Sequence, residues 1–138
     1  MQKLTKLISD KKISLAVALT ISLGIAILSL VRINNIPSIS AENSDKFYHA
    51  IAYFTLSTAW NLFYLNSAKK NTKIKFILSI CASIILFGIV IEVLQELITS
   101  YRTFDLKDML ANSIGCVTAA IVFAVLLEKL KIKWLKFN

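Results

Sequence analysis

The sequence predicts an all-α fold: an integral membrane bundle of four transmembrane helices, with both termini on the cytoplasmic side. Three observations carry this. The 138 residues are 57% hydrophobic, with a mean hydropathy of +0.68, well above an ordinary soluble domain. The apolar residues fall in four runs whose helices would approach the thickness of a bilayer core at about 1.5 Å of rise per residue. Only three Gly and one Pro occur, too few for a turn-rich β architecture. At this length one domain over residues 1–138 is expected.

Each element has its own reason. Residues 1–12 carry Lys3, Lys6, Lys11 and Lys12 against one acid, Asp10. No charge then occurs from Ile13 to Val31, which predicts a helix over 13–31. A cleaved signal peptide ending near Ser38-Ile39-Ser40 is the alternative, but the run is long for one and no A-x-A site follows. Asn34, Asn35 and Pro37 break the chain, and a second helix is predicted over 47–65, with His49 near its start and Asn61 near its end. A polar loop holding Lys69, Lys70, Lys73 and Lys75 leads to a third helix over 75–98. The fourth is predicted over 108–127, with Asn112 near its start, followed by Lys129, Lys131, Lys133 and Lys136.

Charge sets the orientation, since positive residues stay on the cytoplasmic side. The N-terminal segment, the middle loop and the tail hold twelve Lys between them. The other two loops hold four basic residues: Arg32, Lys46, Arg102 and Lys107. Six of the eight acids (Glu42, Asp45, Glu92, Glu96, Asp105 and Asp108) fall on the external side. The formal net charge of +8 is thus spent in clusters flanking apolar runs, which excludes nucleic acid as the partner and points to a lipid bilayer. Cys81 and Cys116 sit in runs that travel in opposite directions. They are expected at different depths, with no disulfide, and they have no CxxC spacing or neighbouring His for a metal.

The polar residues gather between Glu92 and Gly115, in a chain only 17% charged. Three segments are expected to converge on the external face. Asp45-Lys46-x-x-His49 enters the second helix; Asp45 and His49, four apart, share a face with Tyr53 one turn deeper. Glu92, Gln95 and Glu96 leave the third helix, and Asp105, Asp108, Asn112 and Gly115 form a stripe entering the fourth. His49 and Asn112 each lie about 6 Å below a helix start, so with Glu92 they can share one layer. Ala111, Gly115 and Ala119, at four-residue spacing, offer a small-residue ridge for close helix packing. Arg102 is one of two Arg among sixteen basic residues. An Arg amid carboxylates points to a need for its planar fork, toward Glu92, Asp105 or an anionic ligand.

Plainer roles stand beside these. Asp45 and Asp105 can serve as helix N-caps, and Asp105 with Asp108 resembles a capping box. His49 can donate to a neighbouring carbonyl. Glu92 and Arg102 can form a structural ion pair. Asn112 can be interhelical glue. Tyr48, Tyr53, Trp60, Tyr64, Tyr101 and Trp134 read as interfacial belt or packing residues.

The blocks DKFYHAIAYF at 45–54, EVLQ at 92–95 and RTFDLKDMLANSIG at 102–115 resemble the VanZ-like family of small bacterial membrane proteins. The resemblance runs from Asp45 to Gly115; the first helix and the lysine tail lie outside it. It marks Asp45, His49, Glu92, Gln95, Arg102, Asp105 and Asn112 as carriers of the family pattern. The founding member is linked to teicoplanin resistance. The resemblance therefore implies a multi-pass protein of the bacterial cytoplasmic membrane, acting at the cell envelope.

Three functions follow. In the first, the external mouth binds or shields a cell-wall precursor or a glycopeptide, without catalysis and without a cofactor or metal. In the second, the His and carboxylates work as an acid/base enzyme on a headgroup or wall precursor. A divalent metal on His49, Glu92 and Asp105 or Asp108 is conceivable there. In the third, the cluster only staples helices in a structural or assembly subunit. A channel or transporter fits least, since the polar groups sit at one end.

Overall fold

A computed structural model describes residues 10–31, 44–68, 73–99 and 104–136, with side chains from 10 to 129 apart from that of residue 44. Four helices account for nearly all of them: α1 (Lys11–Leu30), α2 (Ser44–Ala68), α3 (Ile74–Ile98) and α4 (Leu106–Lys136). Each overruns its apolar run. Asp45 and Lys46 give α2 a polar first turn, and the stretch LEKLKIKWLK, rich in good helix formers, continues α4 past Leu127.

The ends are set locally. Asp10 caps α1, its Oδ1 accepting from the backbone N–H of Lys12 (2.7 Å) and Ile13 (3.3 Å). Ahead of α3, the Lys73 N–H donates to the Tyr64 hydroxyl at 2.8 Å, tying the start of α3 to the end of α2. Contacts between helices fix their directions. Late residues of α1 and α3 meet (Gln95 with Ser29), as do early residues of α2 and α4 (Lys46 with Asp108). Tyr64, late in α2, packs on Phe76, early in α3, with ring centroids 5.2 Å apart. The chain therefore runs up and down in turn, and α2 and α4 are parallel.

The packing is inverted relative to a soluble protein. Leu23, Leu28, Leu86, Leu110 and Ile114 face outward, and Leu97 is 76% exposed. Ser57, Asn61, Glu92, Gln95, Asp108 and Asn112 are buried. Water would penalise so much exposed apolar surface; hydrocarbon favours it, provided polar groups turn inward. Six hydroxyls are satisfied within their own helices: Ser22, Thr55, Ser67, Ser79, Ser113 and Thr118 each donate to the carbonyl four residues back. Three helices are long and apolar enough to cross a membrane: α1, α3 and Leu106–Lys129 of α4. At 25 residues α2 matches α3 in length, and polar residues break its apolar run.

The core lies among α2, α3 and α4, built on Tyr53, Leu56, Ile77, Ile84, Phe123 and Leu127. Cys81 and Cys116 are both free and buried, and both belong to this one cluster. α2 and α4 share the most extensive interface, and Gly115 shows why. A methyl group there would run into the Ala50 carbonyl oxygen and stand 2.9 Å from the Phe54 nitrogen. Ala111 and Ala119 flank it, both buried.

Candidate functional site at the mouth of the bundle

Close backbone approach at Gly115 and Ala50 brings the first turns of α2 and α4 together, so short side chains can meet across them. The Lys46 ammonium lies 2.9 Å from Asp108 Oδ1, 3.1 Å from Asp105 Oδ2 and 3.7 Å from Asp45 Oδ2. One turn deeper, His49 Nδ1 lies 3.0 Å from Asn112 Oδ1. Its Nε2 faces Asp108 Oδ2 at 3.7 Å and Asp45 Oδ1 at 3.8 Å. Six side chains, five from the first two turns of α2 and α4 and one from Asp105 just ahead of α4, thus form one cluster. It grades from a wet rim at Asp45, 53% exposed, to a floor at Asp108, 7% exposed, and the buried Asn112.

Asp105 works twice. It precedes α4, and its Oδ1 accepts the Lys107 N–H at 2.8 Å while its carbonyl accepts from the N–H of Asp108 and Met109. The Lys107 N–H first, and then the hydrogen bond from Lys46, hold its carboxyl below the ordinary value of 3.8. Lys46 stands in the polar first turn of α2, ahead of the apolar run, and is held protonated above its usual range by Asp108 and then Asp105. Asp45 lies inside the first turn of α2, where its negative charge suits the helix N-terminus.

The third helix contributes differently. Gln95 is buried and its Nε2 donates to the Ser29 carbonyl of α1 at 2.8 Å. It turns toward α1 and away from the α2–α4 cluster. Glu92 is 2% exposed and lies within electrostatic reach of the Tyr53 hydroxyl. Close packing of α3 on α2 brings this about: a methyl group at Gly88 would stand 2.9 Å from the Tyr53 ring. Glu96 is exposed. Arg102 lies outside the described residues, as does Tyr101, and the side chains of the tail beyond residue 129 lie outside them too.

Two contributors escaped the sequence reading. Ser29 receives Gln95, and Ser22 accepts the Trp60 indole N–H at 3.1 Å. Ser14, Ala18, Ser22 and Ser29, spaced four, four and seven apart, mark the inward face of α1; that signal was legible but unread. Elsewhere, a groove of about 540 Å³ opens between α1, α2 and α3, lined by Leu19, Trp60, Tyr64, Phe76 and Phe87. It is almost wholly apolar and holds no titratable cluster, so the mouth remains the chemical site.

The family described as VanZ/LLP1 matches over residues 11–127. The match takes in α1, which the narrower resemblance over 45–115 had left out; its bonds through Ser22 and Ser29 make α1 part of the same bundle. An uncharacterized protein of Schizosaccharomyces pombe is 27% identical over 102 residues, covering 74% of this chain and 59% of the relative. The chain thus spans less than two thirds of that relative's length. No solved structure matches.

Proposed function

The chain belongs to the VanZ/LLP1 family, and from that premise we propose that it is a four-pass protein of the bacterial cytoplasmic membrane whose extracytoplasmic mouth binds or shields a wall-related or glycopeptide ligand. Both termini and the lysine loop face the cytoplasm, and α2 crosses with the other three helices. One observation supports the reading most. Lys46, His49, Asp45, Asp105, Asp108 and Asn112 are drawn from the starts of two helices into one cluster at a single end of the bundle. Charged groups are kept near hydrocarbon when they serve a ligand or one another. The arrangement offers both signs of charge at a half-open rim, suited to a ligand carrying carboxylate and amine groups. Arg102, four residues from Leu106 in sequence, adds a fork for a carboxylate or phosphate.

Substitution tests this reading in a host where the wild-type chain alters teicoplanin susceptibility. His49→Ala and Arg102→Lys are expected to change susceptibility at unchanged membrane abundance. Unaltered susceptibility in both removes the binding role. A fall in abundance that parallels the phenotype assigns the cluster to assembly instead.

Acid/base catalysis on a headgroup or wall precursor is the second reading. The orientation of His49 favours it: Asn112 holds one ring nitrogen while the other faces two carboxylates. Turnover by the purified protein, lost in His49→Ala and Glu92→Gln, is the result this reading requires.

A further inference from the structure

We propose that Asp45, His49 and Asp108 form a binding site for one divalent transition-metal ion, with zinc the best fit. This stands independently of which ligand the mouth takes. The first argument is distance. His49 Nε2 lies 3.8 Å from Asp45 Oδ1 and 3.7 Å from Asp108 Oδ2. Hydrogen bonds between such groups span about 2.7–3.2 Å, and charge-assisted ones are shorter still. Two ligands each about 2.1 Å from one ion stand roughly 3.3–4.2 Å apart. Donor atoms of all three residues lie within 4.8 Å of one another. The widest gap closes by rotation of Asp45, the exposed rim residue.

The second argument is how the oxygens are shared out. Lys46 approaches Asp45 through Oδ2 and Asp108 through Oδ1. The oxygens that face His49 are the other two, Asp45 Oδ1 and Asp108 Oδ2. Lysine therefore braces the carboxylates from behind and leaves their inner oxygens free of hydrogen bonds from the described residues. Asp108, more than nine-tenths buried, aims one of these oxygens at the ring.

The third argument is the imidazole. Asn112 Oδ1 can only accept, so His49 Nδ1 donates to it across 3.0 Å. In the neutral ring the Nε2 lone pair then points between two carboxylate oxygens. Three acceptors converge, and a cation is what completes them. A buried amide oxygen fixing the remote nitrogen is the outer-shell pattern of metal-bound histidines. Charge agrees. Asp45, Asp105 and Asp108 against Lys46 leave two negative charges in excess, which a divalent ion neutralises at a partly buried site. One imidazole with two carboxylates suits zinc, and three protein ligands leave a position open for water or an anionic group. Glu92, a ligand candidate in the sequence reading, has no place in this set; Asp45 takes it.

The chain contains one histidine, which makes the test specific. The full chain, purified in detergent without a histidine tag and stripped with chelator, is dialysed against zinc and its metal content measured by mass spectrometry. One ion per chain is expected, together with a rise in thermal midpoint on zinc addition. Affinity is expected to fall at least tenfold in His49→Gln and in Asp108→Asn, and to be retained in the exposed-residue control Glu96→Gln. Cobalt absorption with a nitrogen-ligand signature in the wild type tests the ring directly, should a variant fail to fold. Sub-stoichiometric zinc in the wild type, or equal affinity in wild type and both ligand variants, overturns the site.

Discussion

Asp105 couples a helix start to an ion pair, and this makes its protonation a structural event. Its carboxylate receives the Lys107 N–H and the Lys46 ammonium, so folding favours the charged form and lowers its pKa from 3.8. A depressed carboxylate stabilises the fold above its unfolded value and loses that contribution as pH falls through the folded one. Wild-type thermal stability in detergent is therefore expected to hold from neutrality down toward pH ~4 and to drop below it. Asp105→Asn is expected to be less stable at neutral pH and to show a shallower acid drop, as scanning calorimetry or fluorimetry would show. An acid drop as steep in the variant as in the wild type contradicts this role. At this scale the sequence was informative where spacing alone decides. Asp45, Lys46 and His49 lie on one helix at intervals that dictate a shared side. Where a side chain points across the bundle was not legible: Gln95 follows Glu92 by three residues, yet turns to α1, because helix rotation depends on neighbours that periodicity does not name.

Elements meet through two devices, one apolar and one polar. The apolar device is the glycine crossing of α2 and α4. Any side chain at position 115 forces the Ala50 carbonyl away, and backbone gives less readily than a side-chain tip. Gly115→Ala is expected to cost about 1–3 kcal/mol through overpacking and to lower membrane abundance at elevated temperature. It also widens the gap that Lys46 spans, so the mouth should loosen with it. Wild-type abundance and melting in this variant would show that the crossing tolerates a methyl group. The polar device is Gln95. The Ser29 carbonyl lies in the last turn of α1, among the carbonyls that a helix leaves without a partner of its own, and Gln95 Nε2 donates to it from another helix. Gln95→Leu preserves bulk but removes the donor. It is expected to cost roughly 1–3 kcal/mol and to speed proteolysis near the end of α1 in detergent, whereas Glu96→Gln should do neither. Identical proteolysis of α1 in both variants would detach Gln95 from this role.

Across the whole molecule, four helices were legible because uncharged length and lysine clustering are properties of the line of sequence itself. Helix ends were less so: helix formation continues into charged stretches that hydropathy assigns to loops, as α4 does beyond Leu127. Cys81 and Cys116 help to test the topology. Both are buried in the apolar core, so an aqueous maleimide should leave them unlabelled. Single cysteines at the exposed positions Phe47, Lys73 and Lys107 bracket the crossings of α2 and α3. If α2 spans the membrane despite its polar residues, Phe47→Cys and Lys107→Cys should label in intact cells with an impermeant reagent, and Lys73→Cys only after lysis. Labelling of Phe47→Cys and Lys73→Cys from the same side would leave α2 outside the set of spans. Labelling of Lys73→Cys alone from outside would invert the molecule and put the polar mouth in the cytoplasm. The charge distribution argues against that inversion. It would move eight Lys from both chain ends and four from the middle loop to the outer face, against the bias that sets the direction of insertion.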